Sequence, residues 1–376
     1  MRRKQVNALI RWTVFCFLVL ACVALRANAL PGSKGGCIPG FPLDPGWQGA
    51  DAAYSIPLPD GRDVWIFGDT LYGEKRALHD GQPAMVRNSI GISSCDSHGK
   101  ATLEHILRRD PDGKAKDFFK AQHPNTWYWA MDGFFHDNSL WITLLCVRDS
   151  PKSSSLAMGF ETCGTDLAKV SGLGSDAQKW KVEYFPLVDD GTRAYPSAAT
   201  VIQGEYAYIF ALYEAATRPA LLTRIPLKGL NEPRRNLEYL AADGTWKNGF
   251  DPQKAKPVME TASAEMSVRW HPDLEKWIAI LMDPTGFSDK VLLREAPSLT
   301  GPWSDGEVIY RVPELQASSP VYDKDTFCYA AKEHPEFEDS GSLVFTYVCN
   351  TMDVKKLVSE TWLYFPKSVQ MPWPKH

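Results

Sequence analysis

The chain has 376 residues, 44% of them hydrophobic, and a formal net charge of −4. That is enough apolar material for a sizeable core. The acidic balance excludes nucleic acid as a partner, because a phosphate-binding face needs a surplus of Lys and Arg.

Residues 1–29 read as an export signal. Arg2, Arg3, Lys4 and Arg11 make a basic start, 12–25 is apolar, and Ala27-Asn28-Ala29 is a small-x-small cleavage site. The apolar stretch is short for a spanning helix and no second one follows, so a secreted or periplasmic protein without stable membrane insertion is expected. Ala21-Cys22 offers the alternative of a lipoprotein acylated at Cys22. Cleavage removes five basic residues and moves the formal charge from −4 to about −9. Residues 30–376 are read as a single domain.

From Ala50 onward, an alternating run that leads through a tight turn into a more hydrophobic strand recurs five times, roughly every 60 residues. The openings are 49–56, 129–135, 195–201, 264–270 and 317–322. The connectors Asp60-Gly61, Asp137-Asn138, Gln203-Gly204, Pro272-Asp273 and Lys324-Asp325 have hairpin chemistry. The second strands follow at 64–67, 140–147, 206–213, 276–282 and 326–331. In the fourth unit the extended segments 290–295 and 306–311 complete a sheet of four. One such sheet does not bury both of its faces, whereas several arranged radially do. The expected fold is therefore all-β, a five-bladed β-propeller of four-stranded antiparallel blades. A two-sheet sandwich is the alternative, but it gives no reason for repeats of this size.

Six cysteines remain after cleavage: Cys37, Cys95, Cys146, Cys163, Cys328 and Cys349. An even count in an exported chain implies up to three bridges, whose connectivity spacing alone leaves open. Cys146 with Cys163 and Cys328 with Cys349 each flank one hairpin, and Cys37 with Cys95 would tie the N-terminal arm to the first blade. No pair has metal-finger spacing.

In a propeller the innermost strand of every blade starts at one face, and the antiparallel second strand ends there. The expected first-strand starts carry Asp51, Asp132, Ser197, Glu265 and Ser319; the second-strand ends carry Asp69, Arg148, Glu214, Asp283 and, just beyond, His334. Cleavage of a glycosidic bond needs two carboxyls in opposite protonation states, and crowding acids raises the pKa of at least one. Glu265, close to Met266, Val268 and Trp270, is the expected proton donor. Asp51 is the expected base with Asp69 as its competitor, and Asp132 an orienting or pKa-setting carboxylate. The structural alternative is that these acids form turns, and Gly68-Asp69-Thr70 fits an Asx turn. Asn88, Tyr195, Arg269 and His334 are candidates to hold sugar hydroxyls; Trp129 and Tyr329 are candidates to stack on a sugar face, although most tryptophans of such a fold pack between blades. The chemistry requires no cofactor and no metal ligand set is assigned, with His334 a candidate to help hold a structural calcium ion in the central channel through water. The chain has no phosphate-binding Gly loop, no paired-His helix and no Gly-x-Ser-x-Gly elbow.

Trp65-Ile66-Phe67-Gly68-Asp69-Thr70, followed by Met85-Val86-Arg87-Asn88-Ser89-Ile90-Gly91, resembles an exported bacterial family first labelled as a domain of unknown function and linked to endo-D-arabinanases. Trp129-Ala130-Met131-Asp132-Gly133, Glu265-Met266-Ser267-Val268, Tyr329-Ala330-Ala331-Lys332-Glu333-His334-Pro335 and Phe345-Thr346-Tyr347-Val348-Cys349-Asn350 resemble its other recurring blocks. Arg294-Glu295-Ala296-Pro297-Ser298-Leu299-Thr300-Gly301-Pro302-Trp303 resembles a strand-and-turn signature of five-bladed furanosidases, including arabinanases. The wider resemblance implies an Asp base, an Asp modulator and a Glu acid from successive blades, with inversion at the anomeric carbon. By matching positions these are Asp51, Asp132 and Glu265, although the wider group takes its acid from blade three and Glu265 falls in unit four. The expectation is a glycoside hydrolase acting on furanosidic bonds of an arabinan-type polysaccharide or oligosaccharide. The rival from another class is a non-catalytic propeller that binds envelope glycans or a protein partner, and a transglycosylase or phosphorylase on the same scaffold is a third reading.

Overall fold

Ile278 and Ile280 pack into one apolar layer and Ala279 and Leu281 into another. A strand that is apolar on both faces needs a sheet on each side, which is the condition that builds a ring of blades. The computed structural model describes residues 36–374 except 151–158, 287 and 340. The expected signal 1–29, with Cys22, lies outside the described residues.

Blade one is Gly46–Pro57, Asp63–Gly73, Ser89–Cys95 and Ala101–Ile106; blade two is Thr126–His136, Ser139–Asp149, Phe160–Ser171 and Lys181–Val188. Blade three is Ala194–Gln203, Tyr206–Tyr213, Ala220–Pro226 and Glu238–Leu240, extended by Trp246–Asn248, and blade four is Met266–His271, Lys276–Met282, Lys290–Ala296 and Glu307–Arg311. Blade five has three strands among the described residues, Thr326–Glu333, Ser342–Thr351 and Lys367–Pro372. Every pairing within a blade is antiparallel, and the first strands contact one another in sequence, with the fifth returning to the first. The protein is thus a five-bladed propeller of mainly four-stranded blades.

The fifth unit differs from the sequence reading. Residues 317–322 form turns, so Ser319 starts no strand, and Thr326–Glu333 is the innermost strand rather than the second. The stretch Ala317-Ser318-Ser319-Pro320 alternates in sequence but offers little apolar surface and a proline, whereas Phe327, Cys328, Ala330 and Ala331 supply buried groups. Lys324-Asp325 leads into the innermost strand, and the hairpin connection runs through the short 3-10 turn Pro335–Phe337. His334 therefore follows the end of an inner strand and lies away from the mouth.

Closure between blades one and five does not use a shared sheet. Phe41, Trp47, Trp65, Phe67, Phe337 and Val344 form one apolar layer across that seam, and Cys37 is bonded to Cys95. Cys146–Cys163 and Cys328–Cys349 are the other two bridges, each joining adjacent strands of one blade. Three disulfides fit an oxidising compartment outside the cytoplasm. No helix among the described residues is long and apolar enough to cross a membrane.

The buried Arg76 adds a polar clasp to this seam. It donates to the carbonyl of Gln48 at 2.8 Å in blade one, and to those of Leu357 at 2.9 Å, Glu360 at 3.2 Å and Leu363 at 2.7 Å in the segment before the last strand. Arg76→Met keeps the aliphatic stem and leaves these carbonyls without their donor. It is expected to lower unfolding stability by about 3 kcal/mol, read as a lower urea midpoint at an unchanged slope.

Candidate active site

The innermost strands carry irregularities where their side chains must turn toward the axis. In blade one the register slips around Asp51, and Ala52 and Ala53 adopt φ of 63° and 61°. Blade two slips between Ala130 and Gly133, bracketing Asp132, and blade five between Tyr329 and Lys332, with Ala330 at φ 63°. Left-handed backbone is costly for a residue with a Cβ, and alanine is the smallest such residue. These bulges re-aim Asp51, Asp132 and Lys332.

Asp51 is the centre of the group that results. Tyr329 donates to its Oδ2 at 2.7 Å and receives a weaker bond from Asn350 at 3.4 Å. Burial, then the charges of Glu265 and Asp69, hold the Asp51 carboxyl well above the ordinary carboxylate range. The buried phenol of Tyr364 also lies beside Asp51. Asp69 accepts from Trp129 Nε1 at 3.2 Å and from Arg87 Nη1 at 3.2 Å. Burial pushes it up to about 6 against the pull of Arg87. The Arg87 guanidinium lies 4.3 Å over the Trp127 ring. Glu265, just ahead of the blade-four inner strand, meets Lys332 Nζ at 3.4 Å.

Lys332 is 1% exposed and forms part of the floor. It donates to the carbonyls of Ala52 and, at 2.7 Å, Ala330, and its ammonium sits 4.5 Å over the Tyr54 ring. Burial lowers its pKa, opposed by Glu265. Tyr54 reaches from blade one to the carbonyl of Ala198 in blade three at 3.2 Å. Arg269 of blade four contacts Asp132 of blade two at 3.3 Å and the Thr200 carbonyl of blade three at 3.4 Å. Asp132 is fully buried and also accepts from the backbone N–H of Gly133 at 2.9 Å and of Thr200 at 2.8 Å. The axis is a plug of paired charges, with the acids gathered at one end.

Asp51, Asp69, Glu265, Trp129 and Tyr329 are therefore brought together, all only partly buried, while Asp132 and Arg269 pair beneath them. Three expected sugar contacts fall elsewhere. Asn88 is fully buried; its amide donates to the carbonyls of Phe119 and Tyr128 and its oxygen accepts from the Phe119 N–H, so it fastens a loop to blade two. His334 is 1% exposed, with Nδ1 at 2.6 Å from Ser55 Oγ and Nε2 at 2.8 Å from Thr346 Oγ1. Both ring nitrogens are engaged, which leaves none for a sugar or for an ion in the channel. Tyr195 is 5% exposed and packs in the core of blades two and three.

Gly68, Arg87, Lys332, Asn350 and Tyr364 are the neighbours that sequence reasoning passed over as site residues. The signal for Gly68 was its place before Asp69: a Cβ there would lie 2.3 Å from Asp51 Oδ1, so glycine makes the space in which the carboxyl sits. Size of cavity does not mark this site. Grooves of about 700 Å³ beside Tyr322 and Met352 and about 710 Å³ beside Phe41 and Trp362 contain none of its carboxyls.

The family model described as "Domain of unknown function (DUF5005)" matches residues 41–370, and the chain belongs to that family. No curated protein matches it. Among solved structures it is similar to a presumed hydrolase from Bacteroides ovatus, at 18% identity and TM-score 0.67 over 86% of each chain. It also resembles RS223 β-xylosidase, at 12% identity and TM-score 0.47 over 90% of this chain and 96% of that one. A GH43_1 enzyme from Xanthomonas citri complexed with xylose is similar at 12% identity and TM-score 0.43, over 88% and 89%. At these identities the likeness is one of fold.

Gly68→Ala should fold and expel the Asp51 carboxyl from its place. Freed from burial and from Glu265, Asp51 is expected to titrate closer to the ordinary aspartate value, near 4, in a carboxyl-selective NMR titration. An unchanged titration would show that the Asp51 environment does not depend on this clearance.

Proposed function

We propose that the protein is a glycoside hydrolase that cleaves furanosidic bonds of an arabinan-type polysaccharide, with D-arabinan the preferred substrate. The observation that carries this reading is the meeting of Asp51, Asp69 and Glu265 beside half-buried aromatic rings. Two of these acids differ in proton affinity, as general acid–base cleavage requires. The preference for arabinan rests on the resemblance around Phe67-Gly68-Asp69-Thr70. The similar Bacteroides protein is described as a hydrolase, the same broad class.

The division of labour differs from the one expected from sequence. Asp51, deeply placed and flanked by two acids that raise its proton affinity, protonates the departing sugar oxygen. Asp69, oriented by Trp129 and Arg87, is the ionised partner that activates water or attacks the anomeric carbon. Glu265, held by Lys332, raises the proton affinity of Asp51. Trp129 and Tyr329 offer ring faces to sugar C–H groups. Inversion is the outcome implied by the furanosidase resemblance, and NMR of the first-formed anomer tests it.

The assignment makes distinct predictions. Asp51→Asn and Asp69→Asn should each reduce release of oligosaccharides from arabinan by at least about 10³-fold, with circular dichroism unchanged. Near-parental activity in either variant sinks its role. Glu265→Gln should retain activity but move the descending limb of the pH–rate profile downward, because one charge that raises Asp51 is gone.

Rates should climb as Asp69 ionises, with an ascending limb near pH 6. Arg87 lowers the pKa of Asp69, so Arg87→Ala raises it and should move that limb to higher pH. A limb that stays in place would separate Asp69 from the titration that governs rate.

A further inference from the structure

The far ends of the inner strands of blades four and five assemble a second polar group. His271 ends the blade-four strand and Glu333 the blade-five strand, while Glu338 follows the turn Pro335–Phe337. Along the blade-four strand His271 lies about 20 Å from Glu265, at ~3.3 Å per residue. Ligand atoms of His271, Glu333 and Glu338 all lie within 4.8 Å of one another.

This group is buried and incompletely satisfied. Glu333 is 1% exposed, and His271 and Glu338 are 9% exposed each. His271 Nε2 stands 2.6 Å from Glu333 Oε1, yet outside hydrogen-bonding geometry. Apart from His271 and Glu338 themselves, no side chain or backbone N–H among the described residues donates a hydrogen bond of good geometry to the Glu333 carboxylate. Arg269 feels the Glu333 charge, but its guanidinium is engaged by Asp132 and by the carbonyls of Val268 and Thr200.

The surrounding structure fixes all three side chains. Glu333 N–H donates to Ser267 Oγ at 2.8 Å, tying the ends of the two blades. Val344 N–H donates to Glu338 Oε1 at 3.1 Å, which orients that carboxyl. The Trp373 ring packs edge-on against His271, with centroids 4.7 Å apart. Two carboxyls buried against each other with one imidazole between them repel as anions, and a cation among these three residues relieves that repulsion. One imidazole with two carboxylates is a borderline donor set that suits zinc, whereas calcium and magnesium favour all-oxygen shells.

We propose that His271, Glu333 and Glu338 bind one divalent transition-metal ion, zinc foremost, which pins blade four to blade five at the end of the inner strands opposite the acid cluster. The site is structural and independent of the hydrolase reading.

The mature chain, purified without a polyhistidine tag and stripped with chelator, tests this by calorimetric titration with Zn²⁺ and by thermal unfolding with and without the ion. The expected result is one Zn²⁺ per chain and a higher unfolding temperature, with no comparable response to Ca²⁺. Glu333→Gln and Glu338→Gln should each weaken Zn²⁺ binding by roughly tenfold or more. Lack of stoichiometric uptake by the parent, an affinity in both variants equal to the parent's, or preference for Ca²⁺ overturns the proposal. Should Glu333→Gln fail to fold, anomalous scattering from a Zn²⁺-soaked crystal of the parent decides: a peak among the three side chains supports the site, and peaks confined to other positions overturn it.

Discussion

The interaction on which the rest of the molecule depends is the buried pair of Arg269 and Asp132. It joins blades that are not neighbours, and Arg269 also reaches the Thr200 carbonyl of the blade between them. A fully buried carboxylate is tolerable only when its lone pairs are met, and Asp132 receives two backbone N–H groups besides the guanidinium. The pair therefore fixes where three inner strands stand relative to the axis. Removing either partner would leave an uncompensated charge, so its positional value exceeds the net strength of the ion pair itself.

A filled axis gives the acid cluster a floor. Lys332 and Tyr54 bind carbonyls of blades one, three and five, and Lys332 presents its ammonium to Glu265 from below. Positive charge beneath and carboxyls above make a graded field. Asp51 feels burial and two acids, while Asp69 is partly compensated by Arg87. The difference between two aspartates of the same strand pair thus arises from their neighbours, as Gly68 leaves room for one and Trp129 and Arg87 grip the other.

Much of this was legible in the chain because propeller geometry turns strand position into spatial position. The repeat gave five blades, and the cysteines flanking hairpins gave the pairs Cys146–Cys163 and Cys328–Cys349. The approach of Asp51, Asp69 and Glu265 follows from the same rule. What failed was the phase of the last unit. Ala317-Ser318-Ser319-Pro320 alternates like a strand, and taking it as one displaced His334 to the mouth and left Lys332 unremarked. Alternation reports pattern, whereas burial of Phe327, Ala330 and Ala331 decides which run reaches the axis. Asn88 was misread for a related reason: a polar residue beside a motif is as useful to a buried loop as to a ligand, and its three hydrogen bonds to the backbone show which use it serves.

Proton affinity was the property least readable from sequence. Apolar residues near Glu265 suggested apolar surroundings for its side chain, but Met266 and Val268 turn into the seam between blades three and four, and Lys332 meets Glu265 instead. Asp51 lies between small residues, Ala50 and Ala52, with no apolar signature of its own. The groups beside its carboxyl come from residues distant in sequence, Tyr329 and Tyr364. In a ring fold the local sequence of an inner-strand residue says little about its dielectric surroundings, because those are supplied by other blades. The bulge that aims the side chain sets its electrostatics, and the two alanines with positive φ after Asp51 are the local trace of that choice.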